Sequence, residues 1–329
     1  MSEIIGKQIE MGVGVEETRG TPQGTAEHWL KKISATVIER ADVKSDESTR
    51  GRVEDSLGAR VVRKWIEGDL EGNVHADSIG YLLYNLYGAV SSLNVAGSVY
   101  SHTFSVANTI THASLTLFAH DGANSKERFS NAMLSSMSIS AVVDDYIKFT
   151  ASWMAKDATT STDTPSYSTE YDFIGKDLVL KIADTEVGLS GATATKVKEV
   201  TINYDTGLIS DHILGAYAPD DIYNAMMSVE VELTLNYEDD TFKDLYLADT
   251  YKYAQVVIVG AADIGGGNNP EMILTLHRVR VIDWSRDDSA GDLVTQTVTL
   301  KAYYNETDTK QSEMVLQNLT SEYDSPISA

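Results

Sequence analysis

The sequence predicts a mainly β protein, organised as two tandem β-sandwich or β-barrel domains that each carry one short flanking α-helix. Three observations predict it. SVEVELTLNY at 228–237 alternates strictly, with Val229, Val231, Leu233 and Leu235 on one side and Ser228, Glu230, Glu232 and Thr234 on the other. This is the pattern of a half-buried strand, because successive side chains of a strand point to opposite faces. WIEGDLEGNV at 65–74 repeats it, with Ile66, Leu70 and Val74 alternating with Glu67, Asp69 and Glu71. Each acidic strand then runs into an acidic turn and a short amphipathic segment, ADSIGYLLYNLYG at 76–88 and EDDTFKDLYLADT at 238–250. Setting Phe242 over Ile79 also sets Glu230 over Glu67 and Glu232 over Asp69, so helix and acidic face share one register.

Residues 1–28 are expected as an N-terminal arm. GVGVEETRG at 12–20, within it, lacks both the preceding strand and the following lysine-bearing helix of a phosphate-binding loop. A first domain at 29–157 opens with a strand in WLKKISATVIERA (29–41), followed by a long polar insertion, DVKSDESTRGRVEDSLGAR (42–60), and then the acidic strand. Its helix takes Asp77 as the expected N-cap, with Ile79, Leu82, Leu83 and Leu86 on the apolar face. Strands follow in HASLTLFAHDG (112–122), RFSNAMLSSMSISAVV (128–143) and DYIKFTASWMAKD (145–157), where Ile147, Phe149, Ala151 and Trp153 alternate with Lys148, Thr150 and Ser152.

DATTSTDTPSYSTEYD (157–172), rich in Ser, Thr and Asp, suits a surface linker, and residues 158–196 are expected as a linker and connecting segment. The second domain, 197–306, opens with VKEVTINYDTG (197–207) and has LISDHILGAYAPDD (208–221) where the first has its insertion. After the acidic strand comes a helix with Asp239 or Asp240 as N-cap, then strands in YAQVVIVGAAD (253–263), EMILTLHRVRVIDWS (271–285) and LVTQTVTLKAYYN (293–305). The Gly-rich AADIGGGNNPE (261–271) reads as a hairpin loop. Residues 307–329 are expected as a C-terminal arm. The order strand, strand, helix, strand, strand, strand thus occurs twice, as in a duplicated domain.

Composition excludes several functions. A net charge of −23 argues against an outer surface that grips nucleic-acid phosphates, which needs concentrated positive charge. The absence of cysteine excludes disulfides, thiolate metal sites and a thiol nucleophile. No clustered histidines and carboxylates suggest a metal ion, and no motif suggests a cofactor. Carboxylates are plentiful, but acid–base catalysis needs two in different environments, whereas equivalent points of a repeat offer the same environment twice. No catalytic residue is therefore expected. Tyr81, Tyr84 and Tyr87 lie at helical spacing and read as core or interface rather than as a sugar platform. The N-terminus, MSEIIGKQIEMG, lacks the basic start and long apolar run of a secretory signal, and no segment approaches the roughly 20 apolar residues of a spanning helix. A soluble protein made in the cytoplasm is expected.

GVGVEETRGTPQGTAEHWL (12–30) resembles the opening of the tail tube proteins of long-tailed bacteriophages, and the repeated unit of strands around one short helix is similar to their tube domain. The resemblance implies a structural subunit in the virion tail that partners itself and other tail proteins such as tape measure, tail tip and terminator. Two fused copies imply trimeric rings with pseudo-sixfold symmetry in place of hexamers. Glu67, Asp69, Glu71, Glu230 and Glu232 are then candidates to line a lumen through which DNA passes without adhering, and the 42–60 loop and the termini are candidates for contacts between rings. An acidic β-sandwich that binds a receptor or decorates a capsid is the alternative.

Overall fold

A computed structural model describes residues 3–122, 125–288 and 290–324. As expected, the chain is mainly β, and its sheets are open, so within one chain they form a sandwich and not a closed barrel. The first half contains β1 (Ile9–Val15), β2 (His28–Leu30), β3 (Lys32–Ala35), β4 (Ile38–Ser45), β5 (Ala59–Asn73), α1 (Ile79–Tyr87), β6 (Gly88–Ala96), β7 (Val99–Val106), β8 (Leu115–Asp121), β9 (Lys126–Val142) and β10 (Lys148–Ala155). β11 (Ala158–Thr160), β12 (Leu178–Ala183) and α2 (Glu186–Gly191) connect it to the second. There follow β13 (Glu199–Asp205), β14 (Ile209–Asp211), β15 (Asp221–Tyr223), β16 (Ser228–Asn236), α3 (Thr241–Leu247), β17 (Lys252–Val259), β18 (Glu271–Asp287), β19 (Thr295–Ala302) and β20 (Ser312–Asn318).

Pairing is antiparallel throughout and follows the same order in both halves: β4–β5–β10–β9–β8–β1 in the first, β13–β16–β19–β18–β17–β12 in the second. Register matches as well. Glu67, Asp69 and Glu71 stand opposite Met154, Ser152 and Thr150; Glu230, Glu232 and Thr234 stand opposite Lys301, Thr299 and Thr297. β9 and β18 are each 17 residues long. Each has an extra residue against its hairpin partner, Ser135 between Leu134 and Ser136, and Ile282 between Val281 and Asp283. Each is irregular again at a second equivalent point, facing Leu115 to Leu117 in one case and Lys252 to Ala254 in the other. Such bulges bend a strand and increase its twist.

The halves are stitched by β9 pairing with β13, from Val142 opposite Glu199 to Ser136 opposite Asp205, and by β7 pairing with β20. One continuous core results, including Ile66, Leu70, Trp153, Ile139, Ile202, Val231 and Leu300. The core side of β5 is packed tightly enough that a Cβ on Gly68 would lie 2.1 Å from the Thr36 carbonyl oxygen and 2.7 Å from the Trp153 ring.

Several segments depart from expectation. The 1–28 segment is no free arm: β1 pairs along its whole length with β8, and Met11 and Val13 are fully buried. Within 307–329, β20 pairs with β18 and β7, and Tyr323 is fully buried beside α1. Residues 1–2 and 325–329 lie outside the described part. The 158–196 segment contributes β11 to β9 and β12 to β17. The ends of the 42–60 insertion extend the β4–β5 hairpin, and the β6–β7 hairpin was not foreseen. β1, β11, β12 and β20 pair with strands distant in sequence, which local periodicity does not register, whereas β4 and β6 belong to local hairpins and are largely exposed. Asp77 does not cap α1. Ser78 occupies that position, and Asp77 instead accepts hydrogen bonds from Leu319 N at 3.1 Å and Thr320 Oγ1 at 3.2 Å. Asp240 is the N-cap residue of α3 without a side-chain cap bond, while Asp239 accepts from Thr241 N at 2.9 Å.

Candidate functional site

The open side of the sheet is built by alternation. On β10, β13, β16 and β19, on β5 from Trp65 and on β9 from Ser136, every second residue is buried, and the residues between are mostly polar and at least partly exposed. Because the β9–β13 junction keeps the ladder in register, the open faces of the two halves join into one. One row across it reads Glu71, Thr150, Ser138, Asn203, Glu230, Lys301. The next reads Asn73, Lys148, Ser140, Thr201, Glu232, Thr299. A third, on the other side, begins Asp69, Ser152, Ser136, Asp205, Ser228. The five acids singled out in the sequence therefore lie on the same face. Sequence reading missed Glu199 and Asp205, which join them on β13, and did not place the two expected strands β9 and β10, with their hydroxyls, between β5 and β13.

Two of these acids are ion-paired: Glu67 with Arg40 at 2.7 Å and Glu230 with Lys301 at 2.8 Å. Glu67 also accepts from the Trp65 indole at 3.0 Å, and this bond together with Arg40 lowers its pKa. The bond to Glu230 raises that of Lys301. Asp69 is held by hydroxyls, accepting from Ser152 at 2.7 Å and Thr36 at 3.4 Å, and Glu71 accepts from Ser34 at 3.0 Å. Among the described residues, Asp69, Glu71, Glu199, Asp205 and Glu232 have no ion pair. The face can therefore repel an anion, and it offers hydroxyl and carboxyl groups.

The EETRG stretch of the N-terminal segment proves to be structural. Buried Glu16 accepts from Gly20 N at 2.7 Å, Ser114 Oγ at 2.5 Å, Asn131 N at 2.8 Å and Thr116 Oγ1 at 3.1 Å, tying β1 to β8 and β9. Burial raises its pKa against these donors. Arg19 pairs with Asp221 at 2.9 Å and donates to the carbonyls of His112 and Ile222, clamping the first half onto β15. Glu186, His277 and Asp308 form the one grouping of metal-ligating side-chain types among the described residues. Asp308 there accepts from Tyr253 and from Asn305, each at 2.9 Å, which explains the grouping as a hydrogen-bonded network.

The family model described as phage tail tube protein matches residues 6–308. No curated protein matches the chain.

Proposed function

This chain belongs to the phage tail tube protein family, and from that membership we propose that it is a non-enzymatic structural subunit, assembling with itself into stacked rings whose lumen conducts DNA during ejection. The rings are trimers with pseudo-sixfold symmetry, each chain supplying two copies of one ancestral unit. Support for the duplication comes from the matched pairing order, the matched register of the acidic strands and the bulges at equivalent points of β9 and β18. The observation that carries the lumen assignment is the single polar face spanning six strands from both halves, with Glu67, Asp69, Glu71, Glu230 and Glu232 on it. Turned inward in a ring, this face meets DNA phosphates with like charge and with hydroxyls, so the polymer slides without adsorbing.

The subunit's place is the virion tail, after synthesis in the host cytoplasm. Its partners are other copies above, below and beside it, and the tape measure, tail tip and terminator proteins. The loop between β4 and β5 and the chain termini contact the adjacent rings.

Negative-stain electron microscopy of the purified protein over a range of concentrations tests the reading. Hollow rings or tubes with threefold or pseudo-sixfold end views are expected, and uniform small particles at every concentration would count against it. The lumen assignment is tested separately by Glu230→Lys with Glu232→Lys. Tubes should still assemble, while particles carrying them should eject DNA poorly; normal infectivity would remove the assignment.

A further inference from the structure

The open face is not purely acidic. Four cations stand on or beside its rows: Arg40 on β4, opposite Trp65; Lys148 on β10, opposite Ser140; Lys301 on β19, opposite Glu230; and Arg280 on β18, opposite Lys301. Each has a carboxylate in contact. Arg40 pairs with Glu67 at 2.7 Å, Lys148 with Asp145 at 2.6 Å, Lys301 with Glu230 at 2.8 Å and Arg280 with Asp249 at 2.7 Å. Two of these acids come from outside the strands, since Asp145 lies in the turn between β9 and β10, and Asp249 follows α3 in the connection to β17. By contrast, Asp69, Glu71, Glu199, Asp205 and Glu232 have no ion pair among the described residues. Between these cations and acids, the charge left uncompensated has one sign.

Net charge does not account for this arrangement. Physiological salt limits the reach of a charge to about 8 Å, so the −23 of the whole chain does little to keep an exposed cation from a phosphate that brushes past it. Each such contact releases condensed counterions and holds the nucleic acid. The four cationic side chains are between 34% and 48% exposed, within reach of a passing polymer. Lys301 and Arg280, directly opposite each other, would form a two-pronged phosphate grip. A carboxylate already in contact with the cation removes that option locally, because a phosphate must first displace it. Both ends of these pairs are held in the charged state: the bond from Lys148 lowers the Asp145 pKa, with Tyr146 N adding to it, and the bond to Glu230 raises that of Lys301. Exposed pairs of this kind contribute little to stability, so holding the fold together does not explain why all four cations are covered.

We propose that Asp145, Glu230 and Asp249 are counter-ions that mask Lys148, Lys301 and Arg280 from DNA phosphates, leaving the polymer no cation to catch on along these rows. This rests on the lumen reading and divides its acids into two kinds. Glu230 silences a neighbouring cation, whereas Glu232, two residues along the same strand, repels. Asp145 and Asp249, which lie off the strands, gain a part in DNA passage.

Two triple variants that change net charge equally test the masking. Asp145→Asn, Glu230→Gln and Asp249→Asn together unmask three cations; Glu71→Gln, Glu199→Gln and Glu232→Gln together remove three unpaired acids. Fluorescence anisotropy of a short labelled DNA duplex, titrated with each purified protein at low salt, should show severalfold tighter binding by the first than by the second. That binding should weaken with salt at a log–log slope of about −0.9 for each phosphate neutralised. Adding Lys148→Gln, Arg280→Gln and Lys301→Gln to the first triple should abolish the gain. Lys301→Gln alone loses the same pair as Glu230→Gln without freeing a cation, so only Glu230→Gln should gain affinity for DNA, whereas a folding defect would affect both. Equal affinities of the two triples, or no binding by either, would overturn the masking. If the first triple binds DNA in solution yet particles carrying it infect normally, the masking stands and the lumen assignment falls.

Discussion

α1 and α3 follow equivalent acidic strands and have the same apolar spacing, yet their burial differs completely. In α1, Ile79, Gly80, Tyr81, Leu82, Leu83, Asn85, Leu86 and Tyr87 are buried; α3 has no buried residue. α1 is covered by what arrives from far along the chain. Tyr323 lies across it, donating to the Asp77 carbonyl at 2.7 Å, and a Cβ on Gly80 would come 2.2 Å from its ring. Glu170 reaches the start of the helix and accepts from Ser78 N at 2.9 Å. α3 receives no such cover and overhangs a groove of about 590 Å³ lined in part by Ile182, Leu235, Phe242, Leu245 and Lys252. A shared local pattern specifies a helix in both places, and the tertiary partner decides whether that helix becomes core.

The comparison is broken most forcefully at Tyr323. Tyr323→Ala should cost about 3–5 kcal/mol, the range for deleting a buried aromatic ring, whereas Phe242→Ala under the exposed helix should cost less than about 2 kcal/mol; chemical denaturation of the two variants gives both values. Equal losses would mean that the two helices share more support than their burial indicates.

A smaller effect concerns acid. Burial opposes ionisation of Glu170, but His28 at 3.1 Å and the bonds from Ser78 prevail and hold its carboxyl at about 2. A depressed carboxylate contributes stability that is present above its unfolded value of 4.5 and is lost as pH falls through the folded value. Melting temperatures should therefore drop between about pH 4.5 and 2, and Glu170→Gln should flatten that limb. Nothing comparable is expected from an acid near α3. The smallest expected change is at the polar face: Glu230→Gln should shift stability by roughly 0.5 kcal/mol, because its pair with Lys301 is half-exposed. A loss of several kcal/mol would show that the acids hold the fold together, and would weaken their assignment to a lumen.

The acidic strands, both helices and the long strands β9 and β18 were legible in the sequence because each has a periodicity that local reading detects. β1 was not, since glycine at Gly12 and Gly14 leaves no polar face to set against Met11, Val13 and Val15, and its burial comes from β8, far along the chain. β20 and Tyr323 were hidden for the same reason. Of the candidate site, the acids on β5 and β16 were legible, but their common face was not, because it depends on the β9–β13 pairing. Asp77 illustrates the remaining gap: a capping residue by type, it is recruited by Leu319 and Thr320 instead.

The hydroxyl-bearing strands have a consequence for how this sheet tolerates its own charge. From β5 to β13, the next strand carrying acids on the open face, there are three strand spacings across β10 and β9, roughly 14 Å at about 4.8 Å each. Physiological salt screens charges beyond a Debye length of about 8 Å. Ser136, Ser138, Thr150 and Ser152 thus hold the carboxylates of β5 beyond the electrostatic reach of those on β13 and β16. The sheet can present an acidic front to a polyanion while its own mutual repulsion stays damped, and lowering the ionic strength below physiological values would progressively couple the two groups.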